Sequence, residues 1–573
     1  MLRAISTPSY SSVLNAPATN FGKIIVLGDS IAAGNYETTT VGGSTVEPIH
    51  CGQRGFINWF QFLTGNGFSH RNQNIDGSSP PGGDNFAIVG NDFEDVINTL
   101  DTALERNGDI YYFIFGTNDL TGSKTDLDII DSYRFCIKKC VAAGKRVWFN
   151  TIFPRNNDQS VDFTAGQNTY RLAVNAALRL MESEYKGVLT VFDADPVMMN
   201  PETGKAYSSM FADGVHPNAT GSATFARDVM IPKLAPFYGL KKILRGFPSA
   251  YNASTNPYGD LFTNSAFTGT AGAVGTGFTG TVPTSWTTAR SDGTHVTTTV
   301  SIESLTDWNG VAANFVKFLL ASTGAGADNE THRISPTSTI TTGAIVGEWY
   351  TCEVEVLVDA TASGTNALRS IYAELRDNGT NGPVTRAFNV GYTATTGSVK
   401  EYFPDGAWRI LLLTNPIQAR TTTGLILRLN ADFDGTLTGT RAVYFGRPIL
   451  RRVDFIEKDG ERRNININTD VSASPNLLLP AESGKTFVNT GATAENYHTL
   501  PAGPVGVVYR GHVTDADGMR FTANTGQTIY IGGTASTSGG YIRSTTIGSA
   551  VELVLINATT WIANSITGTW VAA

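Results

Sequence analysis

The chain is poor in cysteine and in charged residues. It has four cysteines among 573 residues, too few and too scattered for a disulfide framework. Cys136 and Cys140 lie four residues apart in a predicted helix, but no nearby histidine or further cysteine completes a zinc site. We therefore expect the cysteines to be small buried residues of a protein made in a reducing compartment. Charged residues make up 16% of the chain, against roughly 25% in ordinary soluble domains.

The sequence also lacks a basic character, a long apolar run and a visible export signal. The formal net charge is −8, which argues against nucleic-acid binding. No apolar run approaches the roughly 18 residues of a membrane-spanning helix. Residues 1–20 contain no apolar core of a signal peptide. We expect no nucleic-acid partner, no membrane insertion and no signal peptide.

Hydrophobic residues and glycine are abundant. Hydrophobic residues make up 41% of the chain, and there are 60 glycines. At about 150 residues per domain, the length predicts three or four domains. Long stretches of Thr, Ser and Asn indicate β-rich regions with polar but uncharged surfaces.

After an N-terminal extension (residues 1–20), short apolar runs alternate with helical patterns over residues 21–245. The runs are IIVLG (24–28), NFAIVG (85–90), YYFIFG (111–116), RVWFNTI (146–152) and VLTVFDA (188–194). They lack polar alternation, as do parallel strands covered by helices on both faces. Helical patterns cover 55–63, 93–104, 126–142 and 169–184. The pattern predicts a three-layer α/β/α, doubly wound, flavodoxin-like domain that binds ligands at the carboxyl ends of its strands.

The rest of the chain has the pattern of β-proteins. Short alternating strands separated by turn residues predict a β-sandwich over 255–453, followed by a linker (454–482) and a small all-β domain (483–573). In the last domain, DADG (515–518), ANTG (523–526) and TSGG (537–540) predict hairpins, and no solenoid repeat is evident. NADFDG (430–435) imitates a calcium loop, but Arg441 stands where the bidentate Glu is needed. We predict no metal and no cofactor.

The N-terminal domain contains four polar segments that suggest a catalytic site. The first two, which lie at the ends of predicted strands, suggest a nucleophile and a backbone donor. Ser30, in Gly28-Asp29-Ser30, lies at a strand-to-helix turn, where its hydroxyl can attack a carbonyl and its N–H can hold an oxyanion. An ordinary helix-capping serine is the alternative. Gly90 ends the second strand, where a glycine lets a backbone N–H approach a ligand.

The other two segments supply a donor and a base. Asn118, after the third strand, can present its amide as a second oxyanion donor or can simply cap a helix. His216 follows a carboxylate, Asp213, by three residues on a short predicted loop. This spacing lets Asp213 accept from one ring nitrogen while the other faces a nucleophile. A surface histidine is the alternative.

The four segments resemble the sequence blocks of the SGNH (GDSL-type) hydrolase superfamily over about residues 21–239. The resemblance implies Ser30 as nucleophile and His216 as general base, oriented by Asp213. It also implies an oxyanion hole made of the N–H groups of Ser30 and Gly90 and the Asn118 side chain. Members hydrolyse carboxylic esters through a covalent acyl-enzyme.

The polar segment 35–54 follows the candidate nucleophile. It is interpreted either as a loop that shapes the substrate cleft or as a solvent-exposed surface loop. Its few apolar residues favour a small acyl group on a polar carrier over a lipid. The candidate substrate contacts are Asp29, Tyr36, His50, Arg54 and Asn91.

The downstream regions resemble modules of surface-binding proteins. Residues 255–453 are similar to carbohydrate-binding β-sandwiches, and residues 483–573 are similar to the ends of bacteriophage tail fibres and tailspikes. This resemblance implies a trimeric virion protein, assembled in the host cytosol, released by lysis and associated with other phage tail proteins.

The leading hypothesis is a tail esterase that removes O-acyl groups, chiefly O-acetyl, from a bacterial capsule or O-antigen. A non-catalytic receptor-binding adhesin and a lipase or thioesterase of the same superfamily are the alternatives.

Overall fold

A computed structural model describes most of the chain. The described residues are 22–33, 36–37, 50–68, 84–155, 162–238, 250–253, 259–291, 293–326, 329–379, 384–389, 402–453, 466–469, 476–478, 485–502 and 507–573. The predicted N-terminal extension lies outside them, as does most of the predicted linker.

The α-helices lie in the N-terminal part of the described chain. They are α1 (Ser30–Ala33), α2 (Phe56–Thr64), α3 (Phe93–Leu104), α4 (Thr117–Thr121), α5 (Asp126–Ala142), α6 (Ala165–Glu184), α7 (Asp195–Met198), α8 (Ala219–Phe225) and α9 (Ile231–Tyr238). A 3₁₀ turn covers Ser208–Met210, and a π-helical turn (Ala226–Met230) joins α8 to α9. None of the described helices combines the length and apolar character that a membrane span requires.

The strands are numbered in chain order. The first six are β1 (Ile24–Gly28), β2 (Tyr36–Glu37), β3 (His50–Gly52), β4 (Ile110–Ile114), β5 (Arg146–Asn150) and β6 (Leu189–Phe192). The next are β7 (Phe278–Gly280), β8 (Trp286–Ser291), β9 (Val296–Thr306), β10 (Ala312–Thr323), β11 (Glu330–Pro336), β12 (Trp349–Val358), β13 (Ser363–Gly364), β14 (Leu368–Asp377), β15 (Val384–Asn389), β16 (Trp408–Leu413), β17 (Ile417–Gln418), β18 (Leu425–Phe433), β19 (Thr438–Phe445) and β20 (Ile449–Val453). The last are β21 (Asn466–Thr469), β22 (Asn476–Leu477), β23 (Lys485–Val488), β24 (Asn496–Thr499), β25 (Val508–His512), β26 (Met519–Thr522), β27 (Thr528–Ile531), β28 (Thr534–Ala535), β29 (Tyr541–Ser544), β30 (Ala550–Asn557), β31 (Thr560–Thr567) and β32 (Val571–Ala572).

The N-terminal sheet is parallel, in the order β1-β4-β5-β6. Ile25 and Phe113 face α3, α5 and α6, whereas Val26 and Tyr112 share a core with α2 and α8. The α/β/α layering follows because both faces of these continuously apolar strands need a helical cover.

The second predicted strand, residues 85–90, is shorter than expected. Asn85 forms a single parallel bridge with Val26, and the Ile88 N–H donates to the Gly28 carbonyl at 3.1 Å. Because the chain turns at Gly90, where φ is +89°, pairing with β1 ends after Ile88.

Three of the helices begin at capping boxes that are legible in the sequence. The side chains of Asp92, Thr125 and Thr164 each accept a hydrogen bond from the N–H three residues on, and the side-chain oxygen at that third position accepts one from the backbone N–H of the capping residue. These reciprocal bonds satisfy N–H groups that the first helical turn leaves without partners.

Two mixed but mainly antiparallel sheets follow. One has the path β16-β12-β19-β10-β9-β7, with β13, β17 and β20 attached, and the other runs β2-β3-β15-β14-β18-β11-β8. Their inner faces share a buried core that includes Phe318, Val354, Ile371 and Leu427. Two facing sheets around one core form a sandwich.

The segment after α1 crosses into this sandwich. Cys51 on β3 pairs in parallel with Ala387 on β15, and Tyr36 on β2 pairs with Cys51. The Trp59 ring on α2 lies 5.2 Å from that of Trp408 and shares a core with it. The predicted N-terminal domain and the sandwich are therefore joined by strand pairing and by a common hydrophobic core.

The C-terminal strands alternate between two sheets, β21-β23-β25-β30-β31-β27-β28 and β22-β24-β26-β29-β32. The first three strands of each sheet are parallel, so the chain coils from one sheet to the other. β21 and β22 lie within the stretch predicted as a linker. The three predicted hairpins, at 515–518, 523–526 and 537–540, are wrong, because each turn connects strands of different sheets.

Candidate active site

The candidate nucleophile lies at a tight turn between β1 and α1. The Asp29 N–H donates to the Ile114 carbonyl at 3.0 Å, which ties the end of β1 to the end of β4. A Cβ at Gly28 would lie 2.0 Å from that same carbonyl oxygen. A glycine is therefore required at position 28 for the chain to turn this closely and place Ser30 at the sheet edge.

Ser30, His216 and Asp213 form a continuous hydrogen-bonded chain. The Ser30 Oγ lies 2.8 Å from His216 Nε2, and His216 Nδ1 lies 2.7 Å from Asp213 Oδ2. The other carboxylate oxygen of Asp213 accepts the backbone N–H groups of Val215 and His216, at 3.0 and 2.8 Å. The aspartate thus fixes both the loop and the imidazole.

The electrostatics of Asp213 suit an orienting carboxylate. Burial alone would raise the pKa of Asp213, but the hydrogen bonds from His216 and Val215 and the His216 charge outweigh it and hold the pKa well below its usual value. Asp213 therefore stays ionised beside the imidazole at neutral pH.

Three groups are placed to donate towards a developing negative charge. None of the described residues accepts a hydrogen bond from the backbone N–H of Ser30 or Gly90. The Asn118 Nδ2 donates to the Asn91 carbonyl at 2.9 Å, which leaves its second amide hydrogen for a ligand. A Cβ added at Gly90 would contact nothing within 4 Å, so this position needs glycine for its φ of +89° and not for space.

Two buried carboxyl groups flank these donors. Burial raises the pKa of Asp29 to about 7, against the hydrogen bond that it accepts from the Ile31 N–H at 2.9 Å. Burial also raises the pKa of Asp119 to about 6, although Asp119 accepts from the Phe93 N–H at 2.9 Å. In each group the Oδ2 atom is buried and has no hydrogen-bond partner among the described residues.

Sequence reasoning missed Arg155. Its guanidinium donates to the Thr117 Oγ1 at 2.9 Å and to the Thr117 carbonyl at 3.2 Å, and it lies 4.6 Å from the centre of the Phe163 ring. Burial lowers the pKa of Arg155, against the charges of Asp29 and Asp213. Arg155 follows a predicted strand, so its position at the carboxyl edge of the sheet was a signal that could have identified it.

The candidate substrate contacts separate into two groups. Asp29 and Asn91 lie within the site, Asp29 beside Ser30 and Asn91 against Asn118. Tyr36 lies on β2, the edge strand of one sandwich sheet, and His50 lies on β3, the strand next to it. Arg54 is exposed in the turn before α2.

Within the described ranges, no group of three or more His, Cys, Asp or Glu side chains has the arrangement of a metal site.

The model of the GDSL-like Lipase/Acylhydrolase family matches residues 26–224. The matched stretch contains all five residues of the triad and the proposed oxyanion hole. No curated protein matches the chain.

Several solved structures are similar to this chain. A lipase/acylhydrolase from Enterococcus faecalis is 16% identical, with 37% of this chain and 95% of that chain covered and a TM-score of 0.27. An acetyl xylan esterase is 20% identical, with 36% and 96% covered and a TM-score of 0.26. A variant of an acetyl-xylooligosaccharide esterase from Geobacillus Stearmophilus is 14% identical, with 38% and 96% covered and a TM-score of 0.28.

Proposed function

We propose, from the premise that residues 26–224 belong to the GDSL/SGNH hydrolase family, that the chain is a serine esterase. The observation that carries the proposal is the Ser30–His216–Asp213 chain, with 2.8 and 2.7 Å between successive side chains. A hydroxyl held this close to an imidazole can lose its proton as it attacks.

The proposed cycle has two halves. Ser30 Oγ attacks the ester carbonyl while His216 Nε2 takes its proton, and the carbonyl oxygen becomes an anion held by the N–H groups of Ser30 and Gly90 and by Asn118. The intermediate collapses, His216 returns the proton to the departing alcohol, and an acyl group remains on Ser30. Water then attacks this acyl-enzyme by the same route, releasing the carboxylic acid and restoring the serine.

We further propose that the substrate is an O-acyl, chiefly O-acetyl, group on a bacterial surface polysaccharide. The side chains of His216 and Asp213 are 34% and 52% exposed, which indicates an active site that is open to solvent. A polymer can reach such a site without threading into a tunnel. In this proposal the sandwich, which pairs with β2 and β3, holds the rest of the glycan.

One observation favours a longer acyl group instead. Ile88 and Val89, directly before Gly90, are 42% and 71% exposed and could contact an apolar chain. A series of p-nitrophenyl esters distinguishes the candidates. The glycan deacetylase should lose activity steeply beyond acetate and propionate, whereas a lipase or thioesterase should gain activity with chain length.

The phage-tail role is also a proposal. The C-terminal sheets would form part of a homotrimeric tail protein of the virion, acting outside the cell on capsule or O-antigen. Light scattering should then give a mass about three times the 61.2 kDa of the chain. A monomeric mass would contradict the trimer without affecting the esterase.

Ser30→Ala tests the enzymatic proposal. We expect p-nitrophenyl acetate turnover to fall by at least about 10³-fold, because no other group replaces the nucleophile. Ser338→Ala, at an exposed position on the sandwich, is the matched control and should retain full activity. Wild-type protein without turnover, or Ser30→Ala within tenfold of wild type, would overturn the esterase and favour a non-catalytic adhesin.

A further inference from the structure

The seven-stranded sandwich sheet carries a cluster of arginines on its outer face. Glu374 on β14 lies directly opposite Arg428 on β18 and Arg386 on β15. Directly paired residues point to the same side of a sheet, and so do residues two apart on one strand. The cluster defined in this way, called here the arginine face, consists of Arg333, Arg376, Arg386 and Arg428.

Register places the remaining two arginines on that side. Arg376 is two residues beyond Glu374, and Arg333 on β11 is opposite Asn430, two residues beyond Arg428. The intervening residues of the same strands, including Ile371, Leu375 and Leu427, belong to the sandwich core. The arginines therefore occupy the side of the sheet opposite to the core.

The carboxylates on this face do not balance its positive charge. Glu374 pairs with Arg386 at 2.8 Å and with Arg428 at 3.0 Å, and lies 3.9 Å from Arg376. Asp432 is a second carboxylate of the face, and its Oδ2 accepts from the Ser370 hydroxyl at 2.7 Å. Register adds a third, Glu37 on β2, which is opposite His50 and through it Arg386. Four arginines against three carboxylates leave an excess of one positive charge on a face of a protein whose net charge is −8.

Arg333 is the clearest sign of this excess. Among the described residues, no carboxylate lies within ion-pair distance of Arg333. Burial lowers the pKa of Arg333, and the positive charges of Arg428 and Arg376 lower it further, against the charges of Glu374 and Tyr372. The Nε atom of Arg376 is buried and has no hydrogen-bond partner among the described residues. A bound anion would remove both penalties.

The arginine face is connected to the candidate active site by strand pairing. Arg386 on β15 is opposite His50 on β3, and His50 is opposite Glu37 on β2. Glu37 lies seven residues after Ser30 in the sequence. The strand that contains Glu37, β2, is therefore both close to the nucleophile along the chain and the edge strand of this sheet.

We propose that the arginine face binds an anionic polysaccharide, through carboxylate or phosphate groups on its sugars, and holds it for the Ser30 site. The binding of the polysaccharide is inferred from the arginine cluster alone, whereas its presentation to Ser30 rests on the proposed esterase function. Guanidinium groups suit this role because they bind planar carboxylates and phosphates in a bidentate manner. The net negative charge of the chain favours a sparsely charged glycan over a nucleic acid.

Two polymers that differ only in charge test the proposal. Dextran and carboxymethyl dextran share one backbone, and affinity electrophoresis or calorimetry of the full chain measures binding of each. We expect wild-type protein to bind carboxymethyl dextran, more weakly as salt is raised, and not to bind dextran. Arg333→Gln combined with Arg376→Gln should weaken this binding by roughly tenfold or more, as expected for two lost charge-assisted contacts. The same two positions changed to Lys should retain part of it.

Controls separate charge, folding and catalysis. Arg543→Gln, at a side chain 49% exposed on the C-terminal sheets, should bind as wild type. Thermal unfolding identifies a variant that has lost its fold, in which case the Lys pair supplies the comparison. Turnover of p-nitrophenyl acetate should be unchanged in every arginine variant.

Several results would overturn the proposal. These are equal binding of the two dextrans by wild type, no binding of either, an equal loss in Arg543→Gln, and tighter binding of single-stranded DNA than of carboxymethyl dextran. If the arginine variants lose binding but wild type has no esterase activity, the arginine face stands and the proposed function fails.

Discussion

Asp29 is a buried carboxyl group directly before the candidate nucleophile. Its pKa in the folded protein is about 7, raised from 3.8 chiefly by burial. The folded protein therefore keeps a proton that the unfolded chain releases as pH rises through about 4. Because the folded state binds more protons in this window, the contribution of Asp29 makes the free energy of unfolding fall between about pH 4 and pH 7.

Asp29→Asn should remove this pH dependence. The amide keeps an oxygen for the Ile31 N–H but cannot ionise, so we expect the variant to be more stable than wild type at pH 8, by at most about 4 kcal/mol. Urea unfolding followed by tryptophan fluorescence at pH 5 and pH 8 measures the change. Asp228→Asn, at a surface aspartate paired with Arg227, should leave the pH dependence as it is. An unchanged slope in Asp29→Asn would contradict a proton on the buried carboxyl.

Asn118 should matter through its amide hydrogens. We expect Asn118→Ala to lower kcat for p-nitrophenyl acetate by about 10²-fold or more, since one oxyanion donor contributes on the order of 3 kcal/mol to the barrier. Asn118→Asp keeps the shape and removes the donors, so it should lose as much. If Asn118→Asp retained wild-type kcat, the side chain would only be capping its loop.

Residues with a motif around them could be predicted, and residues defined by burial could not. The side chains of Ser30, His216 and Asp213 are hydrogen-bonded in series, and the strand end and the i,i+3 spacing that suggested these residues are present in the sequence. The protonated state of Asp29 depends on the residues that cover it, which come from distant segments. Arg155 has no local motif, and its partner Thr117 lies 38 residues away.

Gly116 connects β4 to α4, the helix that carries Asn118. Its φ is +117°, and a Cβ there would lie 2.6 Å from Ile152 Cδ1 and 2.9 Å from the Tyr133 hydroxyl. Gly116→Ala should therefore destabilise the protein by about 2–4 kcal/mol, through backbone strain and overpacking. It should also lower kcat, because the turn that positions Asn118 must move.

Gly144→Ala is the matched control for Gly116→Ala. Gly144 also has a positive φ, +71°, but a Cβ there would contact nothing within 4 Å. We expect this variant to lose about 1 kcal/mol from strain alone and to keep full activity. Equal effects of the two variants on unfolding and turnover would show that the contacts of Gly116 are unimportant.

The C-terminal turns show why the pairing of strands could not be predicted from the sequence. The residues of DADG (515–518) suit a tight turn, but the turn joins two sheets and not two neighbouring strands. The Asn489 side chain holds it, donating to the carbonyls of Asp515 and Gly518 and accepting the Thr514 and Asp515 N–H groups. A side chain 26 residues upstream thus stabilises a turn between two sheets in place of a hairpin. The residues of the turn itself do not encode this difference.

The N-terminal domain and the sandwich share one hydrophobic core in this protein. The Trp59 ring on α2 lies between the aromatic rings of Trp408 and Phe403, at 5.2 and 5.3 Å. The Asn66 side chain donates to the Leu411 carbonyl on β16 at 2.8 Å. Because burial of a large apolar side chain contributes about 1.5–3 kcal/mol, separating the two would expose a substantial part of their stabilising surface.

Shortening the chain tests this coupling. A chain ending at residue 245 keeps the whole triad but loses the partners of Trp59 and of β3, so we expect a lower unfolding midpoint, strong binding of a hydrophobic dye and reduced p-nitrophenyl acetate turnover. A chain ending at residue 453 removes only the C-terminal sheets, whose own core is a separate cluster of buried residues. That chain should keep the midpoint and turnover of the N-terminal part. If the shorter chain were as stable and active as the longer one, β2, β3 and α2 would hold the active site without the sandwich, and polysaccharide binding would have to be coupled to catalysis by proximity alone.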